Sequence, residues 1–183
     1  YVYGQTKFES SGPYANFNHH EEVDRLATRS TCMQIYLSIQ LGLFDTFQKR
    51  GIPYAHVYVN DADQDVCMAY WLLKHHQKAK AIKWEQPMAK FLIVEDLLDT
   101  SAGSFPIADT ESEHSMIKHQ AWVFEPYIQA RQMRQLHGMN SSELKELIEV
   151  VGERISLFES GAGNMKELDV TPEIIGGGTG WSM

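Results

Sequence analysis

The sequence predicts an α/β fold, with a small sheet, flanking helices and a mainly helical C-terminal half. The segment 54–59 is rich in aromatic and β-branched residues, which is typical of a strand. Elsewhere, apolar residues recur every three or four positions, as they do on one face of a helix. Because helical patterns cover more of the chain than is usual, a mainly helical fold with a small sheet is the alternative.

In the first half of the chain, short strands are expected between amphipathic helices. Ile35, Ile39 and Leu43 recur every four residues and indicate one long helix, ended by Gly51 and Pro53. Pro87 suits the first turn of a helix, where its missing N–H group costs nothing. The predicted elements are a turn at 10–13, a strand at 14–18, a helix at 31–47, a strand at 54–59, and helices at 63–78 and 87–98.

In the second half, helices dominate. A loop at 100–106 precedes a helical pattern at 111–137, which Pro126 is expected to kink or split. Asn140 and Glu143 have the spacing of a capping box and open the clearest amphipathic helix. Glycines close this helix at 161 and 163, and a last strand is expected at 170–175.

The length of 183 residues suits one compact unit. We expect a metal-site region over residues 1–105 and a helical region over residues 106–183 that ends in a glycine-rich segment. The chain opens on Tyr1 and ends inside a glycine-rich stretch, which predicts a piece of a longer protein.

Composition excludes two broad classes. Sixteen basic residues against 24 acidic ones, a net charge of −8, argue against a broad nucleic-acid surface but not against a small anionic substrate. No apolar stretch approaches the roughly 20 residues that span a bilayer, so no membrane association is expected. Cys32 and Cys67 lie in apolar helical patterns, which favours reduced thiols and a cytoplasmic protein, although one disulfide stays an alternative.

The most informative stretch is Asn18-His19-His20-Glu21, followed by Asp24. Imidazole and carboxylate groups are common metal ligands, and folding seldom needs two adjacent histidines. The alternative is a helix start, with Asn18 as cap and the acidic residues favoured by the helix dipole. That alternative explains the acidic residues but not the histidine pair.

A second acidic cluster contains Asp61, Asp63 and Asp65. Three carboxylates this close repel one another unless a cation neutralises them, which favours a metal. The alternative is capping of the following helix by Asp61 or Asp63. If both clusters follow strands, their side chains would meet at one edge of a sheet.

Four further residues are candidates for binding an anionic substrate. Arg25 and Arg29 would bind it through bidentate hydrogen bonds, or would pair with nearby acidic residues at helical spacing. Ser30 and Thr31 precede the long helix, where free N–H groups hold phosphate, or they simply cap that helix.

The segment at about 14–66 resembles the DHH phosphoesterase family. The resemblance rests on Phe17-Asn18-His19-His20, then Arg29-Ser30-Thr31-Cys32 leading into the long helix, and Val57-Tyr58-Val59-Asn60-Asp61. Asn18 stands where the family has its first Asp, and Thr179, after a late glycine run, stands where a His is usual. The resemblance implies a Mn²⁺- or Mg²⁺-dependent phosphoesterase with His19 and Asp61 as metal ligands.

These observations favour a metal-dependent hydrolase of a phosphoester or a similar small anionic substrate. The predicted metal ligands are His19, His20, Asp61 and Asp63, with Asp24 or Glu21 as the base. A non-catalytic relative that acts as a helical interaction or regulatory module is one alternative. Another is an all-helical metal phosphohydrolase that uses His114 or His119. The oligomeric state is left open, a homo-oligomer included.

Overall fold

Two short antiparallel hairpins carry the strands of the computed structural model, which describes residues 6–9, 12–20, 23–24, 27–59, 61–104, 111–133 and 135–163. In the first hairpin, β1 (Thr6–Glu9) pairs with β2 (Gly12–Ala15), in the register Thr6 to Ala15. In the second, β3 (Gln48–Lys49) pairs with β4 (Ile52–Pro53). Arg50 and Gly51 join β3 to β4 with φ angles of 56° and 80°, the positive values that a two-residue hairpin turn of this hand requires.

Helices make up most of the described chain. α3 packs against α1 and α8, and α5 and α6 complete the bundle. The helices are α1 (Thr31–Gln40), α2 (Leu43–Thr46), α3 (Gln64–Lys74), α4 (His76–Ala81), α5 (Pro87–Thr100), α6 (Glu111–Val123), α7 (Glu125–Gln132) and α8 (Ser141–Glu159).

The core lies between α3, α5 and α8. Trp71, Phe91 and Phe124 are its largest fully buried side chains, and each contributes a few kcal/mol by leaving water. The indole Nε1 of Trp71 donates a hydrogen bond to Ser156 Oγ at 2.8 Å, so the buried polar atom of this side chain is satisfied. The core thus joins residues on both sides of the predicted boundary at 105.

The predicted long helix at 31–47 is two helices. Gly42 adopts a φ of 90° between α1 and α2, a conformation in which an α-helix cannot continue. The predicted helix at 63–78 is likewise divided, at His75. The split near Pro126 is confirmed, because α6 ends at Val123 and α7 starts at Glu125.

The predicted strand at 54–59 is wrong as a paired strand. The segment has no assigned strand, belongs to neither hairpin, and all its residues are exposed. Its composition favours the extended conformation, yet no neighbouring strand lies beside it within the described part of the chain. The strand expected at 14–18 is shifted to Gly12–Ala15. The strand expected at 170–175 lies outside the described residues.

A mainly helical fold with a small antiparallel sheet is therefore confirmed. The larger sheet expected to gather both polar clusters at one edge is not found among the described residues. The described helices include none long and apolar enough to cross a membrane. Cys32 and Cys67 are buried free thiols.

The capping box of α8 is confirmed. Asn140 Oδ1 accepts from the N–H groups of Ser142 and Glu143, and Glu143 Oε2 accepts from the Asn140 N–H at 2.7 Å. The apolar stripe of this helix is buried as predicted, at Leu147, Ile148, Val151, Ile155 and Phe158.

We expect Asn140→Ala to lower the free energy of unfolding by about 1 kcal/mol, because two N–H groups of the first turn lose their acceptor. Urea denaturation followed by circular dichroism measures this change. Ser141→Ala, one position further on the exposed start of α8, is the control and should change stability by less than about 0.5 kcal/mol. Equal effects of the two substitutions would contradict a capping role.

Candidate metal centre

Three side chains from separate segments meet in a cluster that we call the His19 site: His19, Asp65 and Asp99. His19 lies in the segment after β2, Asp65 in the first turn of α3, and Asp99 in the last turn of α5. One potential ligand atom from each residue lies within 4.8 Å of the other two. The helical bundle, rather than a sheet edge, brings them together.

Asp65 is fixed by the N-terminus of α1. Its Oδ2 accepts from the Thr31 N–H at 2.9 Å and its Oδ1 from the Cys32 N–H at 2.7 Å. Both are first-turn N–H groups that have no partner within the helix, and the helix dipole favours a negative charge there. Asp65 therefore holds α1 against α3 while one of its oxygens faces His19.

The imidazole of His19 lies between two carboxylates. Its Nε2 is 3.4 Å from Asp65 Oδ2 and 3.0 Å from Asp99 Oδ2, and only 1% of the side chain is exposed. Among the described residues, neither Nε2 nor Nδ1 has a partner with hydrogen-bond alignment. Buried polar atoms are seldom left in this state without a function or a bound species.

The spacing of these atoms matches that of ligands around one metal ion. Ligand atoms at roughly 2.1 Å from a metal are about 3.0 Å apart in an octahedral arrangement and about 3.4 Å apart in a tetrahedral one. The two distances from His19 Nε2 equal these separations. Since one potential ligand atom of each residue also lies within 4.8 Å of the other two, the three side chains form a candidate site for one divalent cation.

In the metal-free state, the carboxylates favour a protonated imidazole. Burial by itself lowers the pKa of His19, but Asp65 and Asp99 outweigh it and raise this pKa to about 9. Burial has the opposite effect on Asp65 and raises its pKa, but His19 and the Cys32 N–H group bring this pKa below its ordinary value. The site is therefore ready to hold a positive charge, whether a proton or a metal ion.

Two further acids, Glu95 and Asp63, are influenced by the charges of the site. Burial, followed by the charges of Asp65 and Asp99, raises the pKa of Glu95 well above its ordinary value. Burial and the neighbouring Asp65 and Asp61 raise the pKa of Asp63 to about 6, against the hydrogen bond from the Val66 N–H group. Both shifts favour the protonated acids in the absence of a cation, and a divalent cation bound nearby would oppose them by stabilising the carboxylates.

A second carboxylate, Asp96, anchors the residues just before α1. Its Oδ1 accepts from the N–H and the Oγ–H of Ser30, both at 2.9 Å, and its Oδ2 accepts from Arg29 Nη1 at 2.7 Å. The Asp96 side chain is 1% exposed, whereas the Arg29 side chain is 61% exposed. One edge of the Arg29 guanidinium is thus fixed, and the rest faces solvent one helical turn from Asp99.

Of the predicted metal ligands, His19 alone belongs to the cluster. His20 is exposed and its ring lies 4.1 Å from the His19 ring. Asp63 Oδ1 caps α3 through the Val66 N–H at 2.7 Å, and Asp61 Oδ1 accepts from the Ala62 N–H. The capping alternative therefore accounts for Asp63, and a ligand role for these three residues stays a prediction.

The other predicted residues are distributed as follows. Glu21 and Arg25 lie outside the described residues, and Asp24 is exposed.

Ser30 caps α1 and Thr31 Oγ1 donates to the Phe17 carbonyl at 2.9 Å. Since the N–H groups of Ser30 and Thr31 already donate to Asp96 and Asp65, those donors serve protein carboxylates here. His119 lies beside Phe158, outside the cluster.

Sequence reasoning missed Asp99, although a signal for it exists. The buried face of α5 runs through Met88, Phe91 and Leu92, and the same spacing leads to Glu95, Asp96 and Asp99. Acids that continue an apolar stripe are rarely placed there for solvation. A search for them would have identified α5 as part of the site.

Of the three side chains, Asp99 is the one most accessible to solvent. The Asp99 side chain is 21% exposed, while those of His19 and Asp65 are almost fully buried. A cation held there would have protein ligands on its inner side and free positions toward solvent, the arrangement of catalytic rather than structural metals.

Comparison with protein-family models, curated proteins and solved structures gave no match. The resemblance to DHH phosphoesterases therefore stays a prediction from local sequence.

Without metal, we expect the protein to lose stability between pH 6.5 and 9. The pKa of His19 is raised from 6.5 to about 9, so its contribution is complete below the unfolded pKa and disappears as the pH rises through the folded one. The loss is about 3 kcal/mol at most. Urea denaturation in the presence of EDTA measures it, and His19→Gln should flatten the profile. His20→Gln, on the exposed neighbour, should leave the profile steep, and equal profiles for the two variants would contradict the assignment.

Proposed function

We propose that the protein is a metal-dependent hydrolase of a phosphoester or a similar small anionic substrate. A divalent cation would be held by His19, Asp65 and Asp99. The observation that carries the proposal is the buried His19 imidazole, which lies 3.4 Å and 3.0 Å from two carboxylates without hydrogen-bond alignment to any described residue and forms with them a group that could hold a metal ion.

The ligand set favours Mn²⁺ or Mg²⁺. Two carboxylates and one imidazole form a predominantly oxygen site, and no buried cysteine joins it, since the group of potential ligands is His19, Asp65 and Asp99. Carboxylate oxygens suit magnesium and manganese, whereas thiolates select softer metals. Asp63 and Glu95 lie nearby as further oxygen-bearing side chains, and a bound cation would favour their ionised forms against the upward shifts of their pKa values.

A bound divalent cation supplies an activated water and polarises a phosphoryl oxygen. His19 and Asp65 would orient the cation from the buried side, because both are held by the packing of α1 against α3. Asp99 would complete the set at the solvent side, where the substrate enters. Asp24, exposed on the segment after His20, and Glu21 are the predicted bases.

Arg29 is the best-placed residue to bind the anion. Its Nη1 is held by the buried Asp96, and Asp96 and Asp99 are neighbours on one face of α5. A guanidinium fixed at one edge still offers donors at the other edge for a phosphate oxygen. The ion pair with Asp96 thus keeps a cation beside the open side of the site.

We expect the metal-free protein to lack phosphodiesterase activity and to regain it with Mn²⁺ or Mg²⁺. Calorimetric titration measures binding of Mn²⁺, and hydrolysis of bis(p-nitrophenyl) phosphate measures turnover. Asp99→Asn keeps the shape of the side chain but removes the anionic ligand, and should weaken metal binding by at least about tenfold. Because binding displaces a proton from His19, affinity should rise with pH up to about 9.

Asp45→Asn, an exposed acid on α2, is the matched control and should bind metal normally. No binding of Mn²⁺ or Mg²⁺ by the wild-type protein would refute the metal centre. Binding without turnover of any phosphoester would instead favour the non-catalytic alternative.

A second prediction concerns Arg29→Lys. Lysine keeps the ion pair with Asp96 but loses the planar pair of donors, so KM should rise several-fold while metal affinity and the unfolding free energy stay constant. Steady-state kinetics with bis(p-nitrophenyl) phosphate measures KM and kcat separately. Arg50→Lys, in the β3–β4 turn, is the control, and an equal rise in KM for both variants would exclude an anion-binding role.

A further inference from the structure

Glu95, in α5, is a buried acid that makes no hydrogen bond or ion pair with any described residue. Only 3% of it is exposed. The two other buried acids of the described chain are both hydrogen-bonded, Asp65 to two N–H groups of α1 and Asp96 to Ser30 and Arg29. Glu95 therefore differs from them, because no group in the described protein accounts for its burial.

Neither protonation state of Glu95 is satisfied by the described residues. A neutral carboxyl leaves its O–H group without an acceptor, and a carboxylate leaves a buried charge without a partner. A position that served packing alone would carry an apolar side chain, as Phe91 and Leu92 do on the same buried face of α5. A buried polar group without partners therefore points to a species that binds it.

The position of Glu95 in α5 places it beside the His19 site. Asp99 follows four residues later, so the two side chains are neighbours on one face of the helix, with Cβ atoms about 5–6 Å apart. Burial, followed by the charges of Asp65 and Asp99, raises the pKa of Glu95. Because electrostatic interaction weakens with distance, this order places the Glu95 carboxyl close to both carboxylates of the site.

We propose that Glu95 is a fourth protein ligand of the divalent cation in the His19 site, an inference that rests on the proposed function. The ligand atoms that lie within 4.8 Å of one another belong to His19, Asp65 and Asp99. Glu95 therefore reaches the cation by rotation about its side-chain bonds when the ion binds. Its extra methylene group, compared with an aspartate, gives it the reach for this rotation.

The fourth ligand changes what the site can hold. One imidazole and three carboxylates leave about two of the six positions of an octahedral ion for a water molecule and a substrate oxygen. Such an oxygen-rich set suits Mg²⁺ and Mn²⁺ better than softer metals. Since Glu95 is buried and Asp99 is partly exposed, the free positions lie on the Asp99 side.

The first test is calorimetric titration of the full chain with Mn²⁺. Glu95→Gln keeps the volume of the side chain but removes the anionic ligand, and should weaken Mn²⁺ binding by at least about tenfold. In EDTA, the thermal unfolding midpoint of this variant should not fall, because the substitution breaks no hydrogen bond in the described protein. Glu85→Gln, at an exposed acid just before α5, is the matched control and should bind Mn²⁺ as the wild type does.

Glu95→Asp separates direct ligation from an effect of charge alone. It keeps the carboxyl group but withdraws it by one methylene group, so a direct ligand should be lost in Glu95→Asp as in Glu95→Gln. A charge that acts from a distance would instead survive this substitution.

The outcomes distinguish this inference from the proposed function. Wild-type affinity for Mn²⁺ in either Glu95 variant would overturn the ligand role of Glu95 and leave the His19 site standing. Failure of the wild-type chain to bind Mn²⁺ would refute the metal centre itself, and this inference with it. Because the test measures binding alone, a wild-type protein that binds Mn²⁺ without turnover would still decide whether Glu95 is a ligand.

Discussion

The contact between Asp65 and the first turn of α1 is the interaction on which the rest of the structure depends. Two backbone N–H groups of α1 donate to the two oxygens of one carboxylate on α3. This bidentate arrangement sets how the two helices pack, and α3 in turn carries the core around Trp71. His19 and the Cys32 N–H group lower the pKa of Asp65 against the effect of burial, which favours a carboxylate next to the His19 imidazole.

Asp96 is a second buried carboxylate that binds groups at this helix end. It accepts hydrogen bonds from Ser30 and Arg29, immediately before α1. Two carboxylates from different helices thus take up the polar groups at one helix N-terminus. An end satisfied in this way has fewer N–H groups left for a phosphate. If the proposed function is right, the Arg29 guanidinium would bind the anion, and the carboxylates would position the cation.

Local patterns in the sequence predicted the helices better than the sheet. The α8 capping box and the break near Pro126 depend on neighbouring residues, which the sequence displays directly. The strand at 54–59 failed because extended composition indicates a strand but does not supply a partner for it. At the site, the sequence identified His19 because a second histidine, His20, is adjacent to it. Asp99 lies far from His19 in sequence and is brought close by the packing of α5 against α1.

The acids around His19 also oppose folding. Burying Asp65, Glu95 and Asp96 costs free energy that their hydrogen bonds must offset, and burial with the neighbouring charges raises the pKa of Glu95 well above its ordinary value. A cation that binds the folded but not the unfolded chain would offset part of this free-energy cost, since ligand binding to the native state adds to its stability. A fold that needed only stability would place apolar side chains at these α5 positions, as it does at Phe91 and Leu92. Asp65 and Asp96 are accounted for by the N–H and guanidinium groups that they bind before and at the start of α1, whereas Asp99 and Glu95 would gain from the cation of the proposed metal centre.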